Sequence, residues 1–316
     1  MTNKSDIILL TGTAHPELAN EISEILGVPL GKCSVGKFSD GEISVSINET
    51  VRGRDVFVIQ PTGAPVNDNL MELCIMMDAL KRASAGRISA VIPYYGYARQ
   101  DRKAKPRDPI SAKLVADVLM TAGADDIITM DLHANQIQGY FNIPVNHLQG
   151  MPVLAKYFLD KNFASEDVVV VSPDHGSVVR ARNFAHYFNC PIAIIDKRRP
   201  KPNVSEVMNI IGEVEGKTCI LVDDMVDTAG TITNAADALA ARGARVVYAA
   251  ATHPILSGPA LERIEKSAIK EMILLNTIPV PGAKIVGKIK VLSVAPLFAE
   301  TIRRVNCCES ISILFS

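Results

Sequence analysis

Short apolar segments rich in β-branched residues recur along the chain and alternate with segments of helical periodicity. A continuous apolar run bounded by polar residues is typical of a strand that is buried on both faces of a parallel sheet. The clearest runs are VFVIQ (56–60), ISAVIPY (88–94), DIITMDLH (126–133), DVVVVSPD (167–174), IAIID (192–196), CILVDD (219–224) and RVVYAAATH (245–253). The pattern predicts an α/β fold of mostly parallel sheets flanked by helices.

An internal repeat indicates two related domains in tandem. ADVLMTAGA begins at residue 116 and ADALAARGA begins at residue 236, an offset of 236 − 116 = 120 residues. Each segment is followed by a predicted strand that ends in a histidine, His133 or His253. We therefore predict a duplication, with one domain in residues 1–150 and the other in residues 151–316.

Composition and charge exclude several classes of protein. The chain of 316 residues has 33 Lys and Arg, 34 Asp and Glu, a formal net charge of −1 and no Trp, so we expect no nucleic-acid partner. No segment reaches the roughly 18 apolar residues of a membrane span, and the first apolar run is too short for a signal peptide. Six cysteines without a C-x-x-C spacing favour reduced thiols and a cytoplasmic protein that does not associate with membranes.

The segment CILVDDMVDTAGT (219–231) is the strongest candidate for chemistry. A predicted strand ends in Asp223 and Asp224 just before a Gly-Thr turn opens a helical pattern. The free N–H groups of residues 228–231 at the helix start can hold a phosphate monoester. The two acids can accept hydrogen bonds from the hydroxyls of an attached sugar, directly or through a metal. The alternative is that Asp227 or Thr228 only caps the helix, which explains one acid but not the pair.

This loop resembles the phosphoribosyl-diphosphate loop of type I phosphoribosyltransferase folds, and longer segments extend the resemblance. They are KFSDGEISVSINETVRGRDVFVIQ (37–60), PYYGYARQDR (93–102), DLHANQIQGYF (131–141), VSPDHGSVVRAR (171–182), DKRRPKPNVSEVMNIIG (196–212) and ESISILFS (309–316). In this order they resemble the ribose-phosphate pyrophosphokinase family of the widespread bacterial type. The resemblance implies a transferase of nucleotide biosynthesis that passes the diphosphoryl group of ATP to the 1-hydroxyl of ribose 5-phosphate, with Mg²⁺ as cofactor and AMP as second product.

The same resemblance implies roles for individual residues. Lys197 and Arg199 would stabilise charge on the transferred group from a mobile basic loop. Ribose 5-phosphate would be bound by Arg199, Asp223, Asp224, Asp227, Thr228, Ala229, Gly230 and Thr231. ATP would be bound by Phe38, Asp40, Glu42, Arg99, Gln100, Asp101 and His133. His133 and Asp174 would serve the magnesium–ATP site, His133 through metal-bound water or phosphate, because Mg²⁺ prefers oxygen ligands.

Assembly and regulation also follow from the resemblance. FSDGE (38–42) alone would be a hairpin turn, but in the family this loop reaches the adenine site of a neighbouring subunit. We therefore expect self-association, as dimers that form a hexamer, and allosteric control by ADP and phosphate. Candidate anion contacts are Arg52, Arg107, Ser310 and Ser312.

Two other functions stay open at this point. A phosphoribosyltransferase shares the acidic loop but needs only one such domain, and a non-catalytic regulatory subunit of the same family needs no catalytic groups. Retention of Lys197, Arg199, Asp223 and Asp224 argues against the second alternative. The chain departs from the family pattern at His175 and Ser177 of PDHGS, in the basic segment RKAKPRDP (102–109) and at the pair Cys307-Cys308.

Overall fold

The chain folds into two compact α/β units. The computed structural model describes residues 7–198, 207–281 and 287–314. Unit 1 contains the described residues up to Gln149, the short segment Thr277–Pro279 and the described residues from Ser293 onwards, and unit 2 contains the described residues of Gly150–Asn276 and Val280–Leu292. The fold class predicted from the alternating pattern is confirmed.

Unit 1 is built on a parallel sheet with the spatial order β1-β4-β5-β6-β7. Its elements are β1 (Ile7–Thr11), α1 (Pro16–Leu26), β2 (Cys33–Lys37), β3 (Ile43–Ile47), β4 (Asp55–Ile59), α2 (Val66–Arg82), β5 (Arg87–Ile92), α3 (Ser111–Ala122), β6 (Asp126–Met130), β7 (Val145–Leu148) and α8 (Ala295–Asn306). Every residue of β4 and β6 is buried, as expected for central strands covered by helices on both faces.

Local sequence signals set both boundaries of α1. In α1, Pro16 occupies the first turn, where its missing N–H costs nothing, and Nδ1 of His15 accepts a hydrogen bond from Leu18 N at 3.3 Å. The helix ends at Gly27, whose φ of 66° lies in the left-handed region that glycine adopts without strain. The buried residues Leu18 and Ile22 lie on one face, which holds α1 against the rest of the unit.

Unit 2 contains a larger sheet with the order β10-β9-β8-β11-β12-β13-β14 over its described residues. Its elements are α4 (Met151–Leu159), β8 (Val168–Ser172), α5 (Val178–His186), β9 (Ile192–Arg198), β10 (Val207–Ile211), β11 (Thr218–Val226), α6 (Gly230–Ala241), β12 (Val246–Pro254), α7 (Ala260–Lys266), β13 (Ile269–Leu275) and β14 (Ile289–Leu292). The strands are parallel except for β10, which pairs antiparallel with β9. All seven strands predicted from apolar runs are present in the two units.

The chain order of the strands reverses within the sheet of unit 2. From β8 the chain passes first to β9 on one side and then, after β10, to β11 on the other side of β8. A reversal of this kind leaves a crevice at the carboxyl ends of the two strands that flank it, and ligands of open α/β sheets bind there. The crevice of unit 2 therefore lies between the carboxyl ends of β8 and β11.

The repeat seen in the sequence corresponds to a repeated structural element. Helix α3 leads into β6, which pairs parallel with β5, and α6 leads into β12, which pairs parallel with β11. The first residues of β6 and β12, Asp126 and Val246, differ by 246 − 126 = 120 positions, the same offset as in the sequence. Both units thus use the same strand–helix–strand arrangement around this repeat.

The carboxyl-terminal helix departs from the predicted division at residue 150. Helix α8 lies in unit 1, where it packs against α1 and buries Phe298 and Ile302. Its end is attached to the sheet, because Arg87 Nη2 donates to the carbonyl of Val305 at 3.2 Å and Asn306 Nδ2 donates to Asp55 Oδ2 at 2.8 Å. The periodicity of α8 predicts an apolar face, but it carries no information about which unit covers that face.

All six cysteines are free thiols, with no disulfide among them. Within the described residues, no helix combines the length and the apolar character needed to cross a bilayer.

Candidate active site

The acids of the 219–231 segment lie on the part of β11 that extends past its neighbour. Pairing between β11 and β8 ends at Leu221 opposite Val171, whereas pairing with β12 continues to Val226 opposite Pro254. Asp223 and Asp224 therefore follow the last contact with β8 and border the crevice on that side. This position agrees with the rule that parallel sheets bind ligands beyond the carboxyl ends of their strands.

Asp223 is held by two hydrogen bonds and carries an unusual acidity. Its Oδ1 atom accepts a hydrogen bond from Ser177 Oγ at 2.9 Å and another from the backbone N–H of Asp224 at 2.9 Å. Burial, followed by the proximity of the Asp224 carboxylate, raises the pKa of Asp223 to about 7. Two acids packed together in this way destabilise each other unless a ligand donates hydrogen bonds or positive charge to them.

The loop after β11 presents a helix N-terminus next to these acids. Helix α6 begins at Gly230, and the preceding Ala229 has φ 60° and ψ 0°, a left-handed conformation that costs an alanine roughly 1–2 kcal/mol. The N-cap position is occupied by Ala229, whose methyl group cannot accept a hydrogen bond, so a simple capping explanation of this segment is not supported at that position. Strain of this kind concentrates at ligand-binding loops.

Contacts from the far side fix the backbone of this loop. Arg263 Nη1 donates to the carbonyl of Thr228 at 3.0 Å, and the N–H of Ser257 donates to the carbonyl of Asp227 at 2.9 Å. A side chain on Gly230 would meet the Arg263 guanidinium at 3.1 Å. The carbonyls of Asp227 and Thr228 therefore have hydrogen-bond donors within the protein. The first N–H groups of α6, which have no acceptor within the helix, can donate to an anion.

The loop after β8 supplies the opposite wall of the crevice. Asp174 Oδ1 accepts a hydrogen bond from the backbone N–H of Ser177 at 3.0 Å, and Ser172 Oγ donates to the carbonyl of Asp174 at 2.6 Å. His175 Nε2 lies 2.9 Å from Asp196 Oδ1, at the end of the neighbouring strand β9. The ends of β8, β9 and β11 are thus connected through side chains, and Ser177 links the loop that carries Asp174 to Asp223 on β11.

The basic loop is only partly described. Lys197 lies on β9, directly opposite Met208 of β10, and follows Asp196. The other predicted catalytic residue, Arg199, lies outside the described residues. The assignment of these two residues to catalysis stays a prediction.

The predicted ATP-binding residues lie in unit 1, in two places. Arg99, Gln100 and Asp101 follow β5, and His133 follows the adjacent parallel strand β6, so all four come after strand ends at one edge of the sheet. Asp101 is buried and accepts a hydrogen bond from Gln136 Nε2 at 2.8 Å, while Arg99, Gln100 and His133 are exposed. The buried carboxylate gives this corner of unit 1 a fixed geometry.

The other three predicted ATP residues form the tip of the antiparallel β2–β3 hairpin. The tip is closed by the N–H of Phe38 donating to the carbonyl of Glu42 at 2.8 Å and the N–H of Glu42 donating to Asp40 Oδ1 at 3.1 Å. Phe38 is 59% exposed. A phenyl ring in this position is accessible to a ligand or a partner.

The predicted metal contacts are divided between the units. His133 belongs to unit 1 and Asp174 to unit 2. Among the described residues, no three His, Cys, Asp or Glu side chains form a cluster that could enclose a metal ion. Carboxylates at the crevice nevertheless suit Mg²⁺, which is usually held by one or two carboxylates together with water and substrate phosphates.

Several contacts at the site have no local signal in the sequence. Ser177 and His175 stand out only as departures from a family pattern, and Arg263 has no signal at all. Ser177 is 46 residues from Asp223 and Arg263 is 35 residues from Thr228. Only the strand order brings such distant positions together.

Comparison with known proteins was consistent along the whole chain. Residues 7–123 match the family model described as the N-terminal domain of ribose phosphate pyrophosphokinase, and residues 197–316 match the phosphoribosyl synthetase-associated domain. The ribose-phosphate pyrophosphokinase of Clostridium perfringens is 67% identical over 100% of this chain and 99% of its own length, and that of Bacillus subtilis is 61% identical over 96% and 95%. The crystal structure of phosphoribosylpyrophosphate synthetase from Mycobacterium smegmatis matches with a TM-score of 0.90 and 48% identity, over 95% of this chain and 98% of that one. This chain therefore belongs to the ribose-phosphate pyrophosphokinase family.

Proposed function

We propose that the protein transfers the diphosphoryl group of ATP to the 1-hydroxyl of ribose 5-phosphate, giving 5-phosphoribosyl 1-diphosphate and AMP. The observation that carries the proposal is the placement of Asp223 and Asp224 at the crevice of unit 2, next to the N-terminus of α6. A ligand with a phosphate at one end and vicinal hydroxyls at the other matches both features. Membership of the family supports the same reaction.

Ribose 5-phosphate would bind across the start of α6. Its phosphate accepts hydrogen bonds from the N–H groups around residues 228–231, where the helix dipole also favours an anion. Asp223 and Asp224 accept hydrogen bonds from the 2- and 3-hydroxyls of the sugar. The sugar ring then separates the acids from the phosphate, which removes the repulsion that adjacent like charges would otherwise cause.

The reaction would join the anomeric oxygen to the β-phosphorus of ATP. The bond between that phosphorus and the oxygen bridging to the α-phosphate breaks, and AMP leaves with the bridging oxygen. Negative charge increases on the oxygens around the transferred group, where the cations Lys197 and Arg199 would stabilise it. Bound Mg²⁺, with Asp174 and His133 as its proposed contacts, would neutralise phosphate charge.

The ATP-side residues would determine how the nucleotide is bound. Arg99, Gln100 and Asp101 would contact ATP within one subunit, and Phe38, Asp40 and Glu42 would reach the adenine of a neighbouring subunit. With this division, the active site would be complete only in an oligomer. We propose that dimers of the chain assemble into a hexamer. Light scattering combined with activity tests this point, and a fully active monomer would contradict it.

Regulation by ADP and phosphate remains part of the proposal. Its candidate contacts are exposed or constrained groups of unit 1: Arg107 has φ 70°, and the hydroxyls of Ser310 and Ser312 lie 2.8 Å apart. Arg52 bridges to Ala85 through its backbone. Phosphate activation that disappears when Arg52 or Arg107 is replaced would support these contacts.

Product identity tests the reaction. The protein is incubated with Mg²⁺, ATP and ribose 5-phosphate, and phosphorus NMR identifies the products, with ribose 5-phosphate omitted in the control. We expect AMP and 5-phosphoribosyl 1-diphosphate. ADP would mean transfer of a single phosphoryl group, and absence of any product would favour a non-catalytic subunit. A phosphoribosyltransferase would instead consume 5-phosphoribosyl 1-diphosphate when a base is supplied.

A further inference from the structure

Ser177 makes a hydrogen bond across the crevice of unit 2. It follows β8 and immediately precedes α5, whereas its partner Asp223 lies on β11. The distance from Ser177 Oγ to Asp223 Oδ1 is 2.9 Å, and the hydroxyl donates to the carboxyl oxygen. The bond therefore connects the two strands at the point where the chain order reverses.

The hydroxyl of Ser177 does not cap the helix that it precedes. A serine immediately before a helix ordinarily accepts a hydrogen bond from an N–H of the first turn. Ser177 makes no such cap. Since its hydroxyl is directed instead to the carboxylate of Asp223, the local preference has been replaced by a longer-range contact.

The backbone around Ser177 is itself held in place. Its N–H donates to Asp174 Oδ1 at 3.0 Å, and the carbonyl of Asp174 accepts a hydrogen bond from Ser172 Oγ at 2.6 Å. Ser177 is only 9% exposed. The hydroxyl therefore approaches Asp223 from a fixed direction, unlike a hydroxyl on an exposed loop.

This contact changes the properties of Asp223 as an acceptor. Together with the N–H of Asp224, it engages Oδ1 twice and fixes the plane of the carboxylate. The hydrogen bond from Ser177 also favours the charged form and so opposes the rise in the pKa of Asp223 that burial causes. An oriented, ionised carboxylate makes the stronger hydrogen bond to a sugar hydroxyl.

We propose that Ser177 is a positioning residue for ribose 5-phosphate, acting by holding the Asp223 carboxylate in the orientation that accepts the sugar hydroxyls. The inference rests on the proposed function, since it assumes that Asp223 contacts the sugar. It adds a residue that the sequence marks only as a departure from the family pattern.

Three substitutions and a matched control test this role. Ser177→Ala and Ser177→Gly remove the hydroxyl, and Ser177→Thr keeps it. Ser267→Ala is the control, because Ser267 is also buried in unit 2 and its hydroxyl donates to a backbone carbonyl, that of Ile264 at 2.8 Å, rather than to the site. For each variant, KM for ribose 5-phosphate, KM for ATP, kcat and Tm are measured.

We expect both Ser177→Ala and Ser177→Gly to raise KM for ribose 5-phosphate about tenfold, as expected for loss of a hydrogen bond to a charged group. KM for ATP should stay within about twofold, Ser177→Thr should restore most of the affinity for the sugar phosphate, and Ser267→Ala should leave both KM values unchanged. The use of both Ala and Gly keeps the test decisive if one of them does not fold.

Two results would overturn the inference. One is an unchanged KM for ribose 5-phosphate in a folded variant that lacks the hydroxyl. The other is an equal rise of both KM values together with a lowered Tm, which would indicate a structural role only. Failure of the proposed function is distinguishable, because the wild-type protein would then form no AMP from ATP and ribose 5-phosphate.

Discussion

The clearest quantitative prediction concerns Asp223→Asn, a substitution that keeps the shape of the side chain and removes its charge. The Asn carbonyl oxygen can still accept the hydrogen bonds that Ser177 Oγ and the N–H of Asp224 make to Oδ1. The amide group can donate to the neighbouring Asp224, where the wild-type chain has two acids in contact. We therefore expect the variant to be more stable than the wild type at alkaline pH and to bind ribose 5-phosphate much more weakly.

The size of the stabilisation follows from the acidity of Asp223. Its pKa rises from 3.8 to about 7 on folding, because burial and Asp224 disfavour the charge. A rise of this size is worth a few kcal/mol for the coupled pair of Asp223 and Asp224, since each pH unit of the window contributes about 1.4 kcal/mol. The folded state holds the proton more tightly than the unfolded state between about pH 4 and pH 7, so wild-type stability falls as pH rises through this window.

Scanning calorimetry at pH 5 and pH 8 measures the effect. About two pH units of this window lie between pH 5 and pH 8. The free energy of unfolding of Asp223→Asn, relative to the wild type, should therefore increase by about 3 kcal/mol, which corresponds to a Tm difference on the order of 10 °C for a domain of this size. Asp160→Asn is the matched control, because Asp160 is an exposed carboxylate at the end of α4 in the same unit. Equal Tm values for wild type and Asp223→Asn at pH 8, or a stabilisation that does not change with pH, would refute the reasoning.

Three further substitutions test other parts of the proposed mechanism. Lys197→Ala should lower kcat by at least about a hundredfold with smaller changes in KM, because the ammonium group is proposed to stabilise charge that develops only in the transition state. A normal kcat with a raised KM for ATP would instead assign this residue to ATP binding. Arg263→Met removes the hydrogen bond to the Thr228 carbonyl and should raise KM for ribose 5-phosphate about fivefold. The control is Arg242→Met, because Arg242 is exposed at the end of α6, and it should leave this KM unchanged. Equal KM values in the two variants would contradict the prediction. Phe38→Ala should raise KM for ATP without lowering Tm, because the ring is 59% exposed, and a lowered Tm with normal KM would assign the ring to folding instead.

The strands were predictable because their signal is local. A buried strand of a parallel sheet must be apolar over four or more consecutive residues, and β8 (Val168–Ser172) and β4 (Asp55–Ile59) meet this condition. The local structure of the 219–231 segment could be predicted for the same reason, since a strand end, two acids and a helix start are adjacent in the chain. Features whose cause lies within about a dozen residues can be inferred from sequence alone.

The remaining features depend on contacts between distant parts of the chain. The order β9-β8-β11 is a property of the connections, which no single segment encodes, and it alone places Ser177 next to Asp223. The same applies to α8, whose apolar face could be covered by either unit according to its periodicity. The hydrogen bond from Arg263 to the carbonyl of Thr228 likewise joins α7 to the turn that precedes α6.

Two unfavourable features of unit 2 lie where the ligand is proposed to bind. Asp223 is held in a site that raises its pKa, and Ala229 occupies a left-handed conformation that an alanine avoids. Asp223 is not part of the apolar core beneath α6, and Ala229 adds only its methyl group to that core. Strained and electrostatically unfavourable groups of this kind cluster at functional sites. The proposed sugar phosphate would account for both features at once, since its hydroxyls would donate to the acids while its phosphate would accept hydrogen bonds from the N-terminus of α6, which follows Ala229.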